Sequence, residues 1–243
     1  MLFKSTLIAA FVAFAAITAE AHVSVSSPCP RYGSYKGCPA PPPGQSIDYN
    51  IRAPIGTASQ IGMPMCRHTK AVTKNIPTYK AGQTINVKFD IGAPHGGGHC
   101  QFALSYDGGK KWAVIKDVLG SCLRGNVNSA TYSIPVKIPS NAPSGTVIFQ
   151  WLWNNAVGNR ELYSNCVDMK IKGKNGGELK GKELLIINYG PKSIKLAEFP
   201  NSNAGSQLFT SKARKSVTIR VPKSKSKKSN SKSKKSNSKS KKN

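Results

Sequence analysis

From His22 to Gly173 apolar and polar residues alternate in short runs separated by turn formers. Val23 and Val25 alternate with serines, and comparable runs fall at 84–91, 101–106, 112–118, 130–138, 146–153 and 166–171. Period-two alternation puts every second side chain on one face of a strand, so each run predicts a β-strand with one buried face. Asp107-Gly108-Gly109 between two of them predicts a hairpin, and 139–145, with two prolines and a glycine, predicts another turn. β-Branched and aromatic residues crowd the runs, as in Val147, Ile148, Phe149, Trp151 and Trp153, and long helical periodicity is absent. The expected fold class is all-β: a β-sandwich with long irregular loops.

Two stretches break the alternation. Segment 28–44 carries six prolines among glycines and predicts a rigid irregular loop. Segment 174–221 is mixed in composition, and its one apolar run, 184–189, predicts an edge strand or a segment packed across the sandwich. It is read as a peripheral extension, not a second domain.

The chain ends differ from the middle. Residues 1–21 combine Lys4, an apolar run at 7–17 and Ala19-Glu20-Ala21, the form of a secretory signal peptide, too short for a membrane span. Cleavage after Ala21 would make His22 the first residue of a secreted protein that stays extracellular or in the cell wall. The expected organisation is thus 1–21 signal peptide, 22–173 catalytic sandwich, 174–221 extension and 222–243 tail. No second apolar run is long enough to span a membrane.

The formal charge is +26, yet no Asp or Glu follows Glu198. From Ser224 the heptad Ser-Lys-Ser-Lys-Lys-Ser-Asn recurs at Ser231 and, truncated, at Ser238. Nothing apolar occupies any heptad position, so a coiled coil is excluded and a disordered basic tail is expected. Such a polycation suits an anionic cell-wall polymer. Without interleaved aromatics it lacks stacking platforms for single-stranded nucleic acid.

Six cysteines in an exported chain suggest three disulfides. Cys29 and Cys38 close a short loop and Cys100 and Cys122 flank the hairpin. Local pairing therefore leaves Cys66 for Cys166.

The candidate chemistry lies in three places. A processed His22 would offer an α-amine and an imidazole on one residue. His95 sits in Ala93-Pro94-His95-Gly96-Gly97-Gly98-His99-Cys100, where three glycines keep side chains away from the ring. Glu161 and Tyr163, two apart in an extended segment, face the same side. Two nitrogens from His22 and one from His95 form a planar three-nitrogen set, which suits one copper ion. His99 is the rival of His95, although its place before Cys100 favours a buried supporting position. His68, Met63 and Met65 are read as structural, and at least two of the three tryptophans as core.

These residues carry a resemblance. His22 at the mature start, the Ala-Pro-His-Gly-Gly-Gly-His-Cys segment at 93–100, Lys-Trp-Ala-Val-Ile-Lys at 111–116, Gly-Ser-Cys at 120–122 and Trp-Asn-Asn-Ala-Val-Gly-Asn-Arg-Glu-Leu-Tyr-Ser-Asn-Cys at 153–166 resemble the lytic polysaccharide monooxygenases. The likeness is to the fungal chitin-active group called auxiliary activity family eleven. It covers most of 22–173; the loop with Cys29 and Cys38 and the Lys/Ser tail lie outside it. The resemblance implies an immunoglobulin/fibronectin-III-like β-sandwich, copper held by His22 and His95 with Tyr163 axial, Ala93 near the open axial side, and Glu161 in a second layer where it positions an activated oxygen species; Tyr163 and Glu161 are the catalytic candidates, and His99 keeps its supporting second-layer place. It also implies an external reductant, O2 or H2O2 as co-substrate, and disulfides Cys100–Cys122 and Cys66–Cys166. The implied activity is oxidative cleavage of an insoluble polysaccharide, chitin foremost, by a monomer. The alternative is a copper- or wall-binding protein on the same fold without turnover.

Overall fold

The computed structural model describes residues 22–200, 202–210 and 212–223. The segment expected to be a signal peptide and nearly all of the Lys/Ser tail lie outside the described residues. Among the described residues there are eleven strands: β1 (Val23–Ser27), β2 (Gly56–Thr57), β3 (Thr78–Lys80), β4 (Thr84–Ile91), β5 (Gly98–Ser105), β6 (Ala113–Cys122), β7 (Ser133–Lys137), β8 (Gly145–Asn155), β9 (Glu161–Lys172), β10 (Glu178–Lys182) and β11 (Ser216–Arg220). One 3-10 turn, Ser206–Phe209, is the only helical element among the described residues.

The strands form two sheets. The smaller has the order β1-β4-β7; the larger runs β11-β10-β6-β5-β8-β9-β2, with β3 added in parallel to β9. The alternation read from the sequence places the core: Ile85, Val87 and Phe89 of β4 and Ile134 and Val136 of β7 point inward. They meet Phe102, Phe149, Trp151 and Trp153 from the larger sheet. This is the all-β sandwich that the strand pattern predicts. Trp151 and Trp153 are core residues, and Met63 and Met65 pack against a satellite cluster of Ile55, Leu152 and Leu162.

Of the two forms expected for segment 184–189 the structure has the packed one: it makes only an isolated bridge, Ile187 to Ile194, and lies across the large sheet. Two features differ from the sequence reading. Residues 130–132 precede β7 in a turn, with Thr131 N–H and Oγ1 donating to the Asn128 side chain. The extension also supplies β10 and β11, which pair with each other in register from Glu178–Arg220 to Lys182–Ser216 and continue the sheet beyond β6.

The extension has a second effect. All eight residues of β5 are buried, those facing away from the core included. Gln101 exchanges two hydrogen bonds with the Leu185 main chain at 2.7 and 2.9 Å. Arg214, itself buried, donates to Phe209 O at 2.7 Å and pairs with Asp117. A strand with a polar outward face is thus covered on both sides, with Gln101 and His99 Nε2 bonded to the covering segment and Ser105 to Asp107 and Gly109 of its own hairpin.

Three disulfides join Cys29 to Cys38, Cys66 to Cys166 and Cys100 to Cys122, leaving no free cysteine among the described residues. Opposite the core face of β9, Asp168 accepts two bonds from Arg31, at 2.6 and 2.7 Å, and one from Val72 N–H at 2.8 Å. That pair is sealed from solvent and fixes the proline-rich loop to the sheet.

Candidate metal centre

Strand register brings the first candidate residues together. Val23 pairs with Ile91 across β1 and β4, so His22 stands opposite Gly92, whose N–H donates to His22 O at 2.8 Å. A β-carbon at Gly92 would lie 2.9 Å from that oxygen and 3.6 Å from His22 Cβ. The closeness needs glycine. Three residues on, in the loop between β4 and β5, comes His95.

His95 has φ of +48°, a left-handed conformation uncommon for residues other than glycine. It is followed by Gly96 and Gly97, also at positive φ, and Gly97 N–H closes the turn onto Pro94 O at 2.8 Å. This backbone turns the imidazole toward the start of β9. Strained φ values concentrate where function demands a side-chain direction that ordinary geometry denies.

His95 is held on two sides. Val157 N–H donates to His95 O at 3.0 Å. Gly158, at φ of +91°, packs flat against the ring: a β-carbon there would be 2.7 Å from Nδ1 and 2.9 Å from Cε1. Nε2 is buried and has no hydrogen-bond partner; Glu161 Oε2 stands 3.6 Å from it. Burial lowers the proton affinity of the ring, the Glu161 carboxylate opposes this, and the Arg160 and His22 charges add to the lowering.

Glu161 and Tyr163 lie on one side of β9, and the Tyr163 hydroxyl donates to Glu161 Oε2 at 2.7 Å. The same carboxylate oxygen therefore faces both a phenol and the imidazole. Tyr163 is buried beneath Trp153, ring centroids 4.6 Å apart. Burial, and then the Glu161 charge, raise its proton affinity, so it is a neutral phenol. Arg160 does not pair with Glu161; it reaches Glu198 of the extension at 3.8 Å.

His99 stands apart from this group. Its Nδ1 accepts Gly120 N–H at 2.9 Å, and Nε2 faces Ala204 O at 2.8 Å. With Nδ1 an acceptor, the proton belongs on Nε2. Phe199 stacks on the ring at 4.5 Å and Phe209 tilts against it at 5.0 Å. Ala93 precedes Pro94 at the entrance of the His95 loop and is partly buried against the core. His68 stacks on Tyr32 at 4.1 Å and bonds Asp48 at 2.8 Å, away from this corner.

Among the described residues no three of His, Cys, Asp and Glu gather as a metal-holding group. Beside the His95 ring stand the Glu161 carboxylate and, bonded to it, the Tyr163 phenol. Sequence reasoning missed Gly92, Gly158 and Glu198. The two glycines carry no donor atoms, and Glu198 lies forty residues from Gly158 in the chain.

Fold and site together define an antiparallel β-sandwich with a two-histidine corner formed by the start of β1 and the β4–β5 loop. A family model described as "Lytic polysaccharide mono-oxygenase, cellulose-degrading" matches residues 45–169. The chain is 34% identical over 176 residues to the AA11 family lytic polysaccharide monooxygenase A of Aspergillus fumigatus, covering 71% of this chain and 76% of that protein. An AA11 family lytic polysaccharide monooxygenase of Aspergillus oryzae is 30% identical over 187 residues; the match covers 71% of this chain but only 40% of that longer protein. Among solved structures, a cellulose-active polysaccharide monooxygenase from M. thermophila aligns over 56% of this chain and 72% of its own, with 20% identity and a TM-score of 0.41. The chain belongs to the lytic polysaccharide monooxygenases, and within them to the AA11 family.

Proposed function

We propose that the mature protein starts at His22 and that the α-amine and ring of His22 and the ring of His95 would hold one copper ion, with the Tyr163 hydroxyl as a further oxygen donor. We further propose that it cleaves chitin, an insoluble β-linked polysaccharide, by oxidation. The observation that carries this reading is His95 Nε2, a buried ring nitrogen with no hydrogen-bond partner at a corner where His22 is brought close. Buried polar atoms are nearly always satisfied, so an orphaned imidazole nitrogen fits a metal. An all-nitrogen set suits Cu(II) above the other divalent ions.

When bound, copper together with an external reductant and O2 or H2O2 supplies the oxidising chemistry. The protein's residues prepare the place. The left-handed His95 and the flat Gly158 fix the direction of Nε2, and second-layer contacts of this kind set ligand orientation. Glu161, bonded to the Tyr163 hydroxyl, offers an anionic oxygen beside His95 that can accept or return a proton. Ala93 leaves the His95 loop without a bulky side chain at its entrance.

Chitin is proposed from the resemblance of segments 93–100 and 153–166. The Lys/Ser repeats would hold the secreted monomer near anionic wall polymer by counterion release. No helix among the described residues is long and apolar enough to cross a membrane.

The test uses the secreted, processed protein. N-terminal sequencing should read His-Val-Ser-Val, and metal analysis should give one copper per chain with a three-nitrogen Cu(II) spectrum. With ascorbate and O2 or H2O2, chitin should yield oxidised oligosaccharides by mass spectrometry. A start other than His22, or unoxidised products alone, would refute the proposal.

A further inference from the structure

The extension reaches the loop beside the His95 ring through Glu198 and Phe199. The loop 155–160 that carries Gly158 is tied internally: Asn155 Nδ2 donates to Asn159 O at 2.7 Å and to Val157 O at 3.1 Å. Arg160 donates to Gly158 O at 2.9 Å and to Asn155 O at 3.1 Å. The Gly158 N–H is satisfied from outside the loop, by Glu198 Oε1 at 2.8 Å. Next to it, Phe199 N–H donates to Ala156 O at 3.0 Å, and the Phe199 ring is buried on His99. Phe199 anchors the segment, and Glu198 grips the loop.

We propose that Glu198 is a positioning residue of the metal centre, acting through Gly158 on the His95 ring. Gly158 has no room to move toward that ring, and the bonds at its own N–H and carbonyl, with those of Asn155 to the flanking Val157 and Asn159 carbonyls, hold its φ of +91°. Glu198 Oε1 is the acceptor that satisfies the Gly158 N–H. Losing it frees the peptide that forms one wall of the imidazole. The Arg160–Glu198 contact, at 3.8 Å with the carboxylate half exposed, is a surface ion pair and contributes little. The acceptor oxygen, and not the charge, is the functional part of the side chain.

The inference rests on the copper reading above. The experiment compares Glu198→Ala, Glu198→Gln, Glu198→Asp and Glu178→Ala in the full processed chain. It measures Cu(II) affinity by titration calorimetry, the Cu(II) spectrum by electron paramagnetic resonance and Tm without metal. Glu198→Ala should weaken Cu(II) binding about tenfold, the lower end for supporting residues of metal ligands, and alter the spectrum. Glu198→Gln keeps an acceptor of the same reach and should restore both. Glu178→Ala removes the same charge from β10 and should match the wild type. Should Glu198→Ala fail to fold, Glu198→Asp, one methylene too short to reach Gly158, takes its place with the same expected loss. Unchanged affinity and spectrum in the Ala or Asp variant, or an equal loss in the Gln or Glu178 variant, overturns the inference. Absence of Cu(II) binding by the wild type would instead refute the copper reading on which it depends.

Discussion

Gly158 and His95 are in direct contact: the α-carbon of one lies against the imidazole of the other so closely that a β-carbon would come within 2.7 Å of Nδ1. The contact joins two loops 63 positions apart in the chain and makes the direction of the ring depend on a residue without a side chain.

Gly158→Ala therefore introduces both a clash and a left-handed alanine, the latter alone costing about 1–2 kcal/mol. Tm should fall by several degrees, and Cu(II) affinity by at least about tenfold. A variant with wild-type Tm and affinity would show that the ring is positioned by other means.

The Arg31–Asp168 pair should matter for stability and not for the centre. Both side chains are almost fully buried, so removing one leaves the other charged without a partner. Asp168→Ala should cost about 3–5 kcal/mol, read by urea denaturation of the metal-free protein. Arg31→Met with Asp168→Leu should recover much of that loss. A cost below about 1 kcal/mol for the single variant would contradict the arrangement.

His99 predicts a pH dependence. Burial lowers its proton affinity below the usual 6.5, the Ala204 carbonyl opposes this, the Arg124 charge lowers it further and Asp117 raises it. The folded state thus binds the proton less well than the unfolded chain. The stability from His99 is present above pH 6.5 and is lost as pH falls through the folded value. Denaturation of metal-free protein at pH 7.5 and 5.5 should show a smaller difference for His99→Gln than for the wild type. Equal differences would mean that His99 makes no contribution to the pH dependence.

Asp48 acts in a lower window. Burial raises its proton affinity, but the hydrogen bond from His68 and the Arg67 charge outweigh this and bring the carboxyl from 3.8 to about 2. Its contribution is complete above pH 3.8 and is lost as pH falls through about 2. Asp48→Asn should destabilise at pH 6, and the gap to the wild type should close between pH 4 and pH 2. A gap that is constant over that range would place the effect elsewhere.

The sequence by itself determined the sandwich, because period-two alternation in 84–91 and in the runs around Ile134 and Phe149 requires one buried face for each strand. It also singled out His22, His95, Glu161 and Tyr163, since paired donors beside glycines, or two apart in a strand, make a legible local signal. The tertiary structure alone decided what the extension does. The segment 184–189 is apolar because it covers the outer side of β5, not because it is a strand. Glu198 and Phe199 carry no pattern that points to a loop forty residues earlier. Local spacing records which side chains share a face; which segment lies over that face depends on burial and hydrogen bonds between distant parts, such as Gln101 with Leu185. Only folding brings those together.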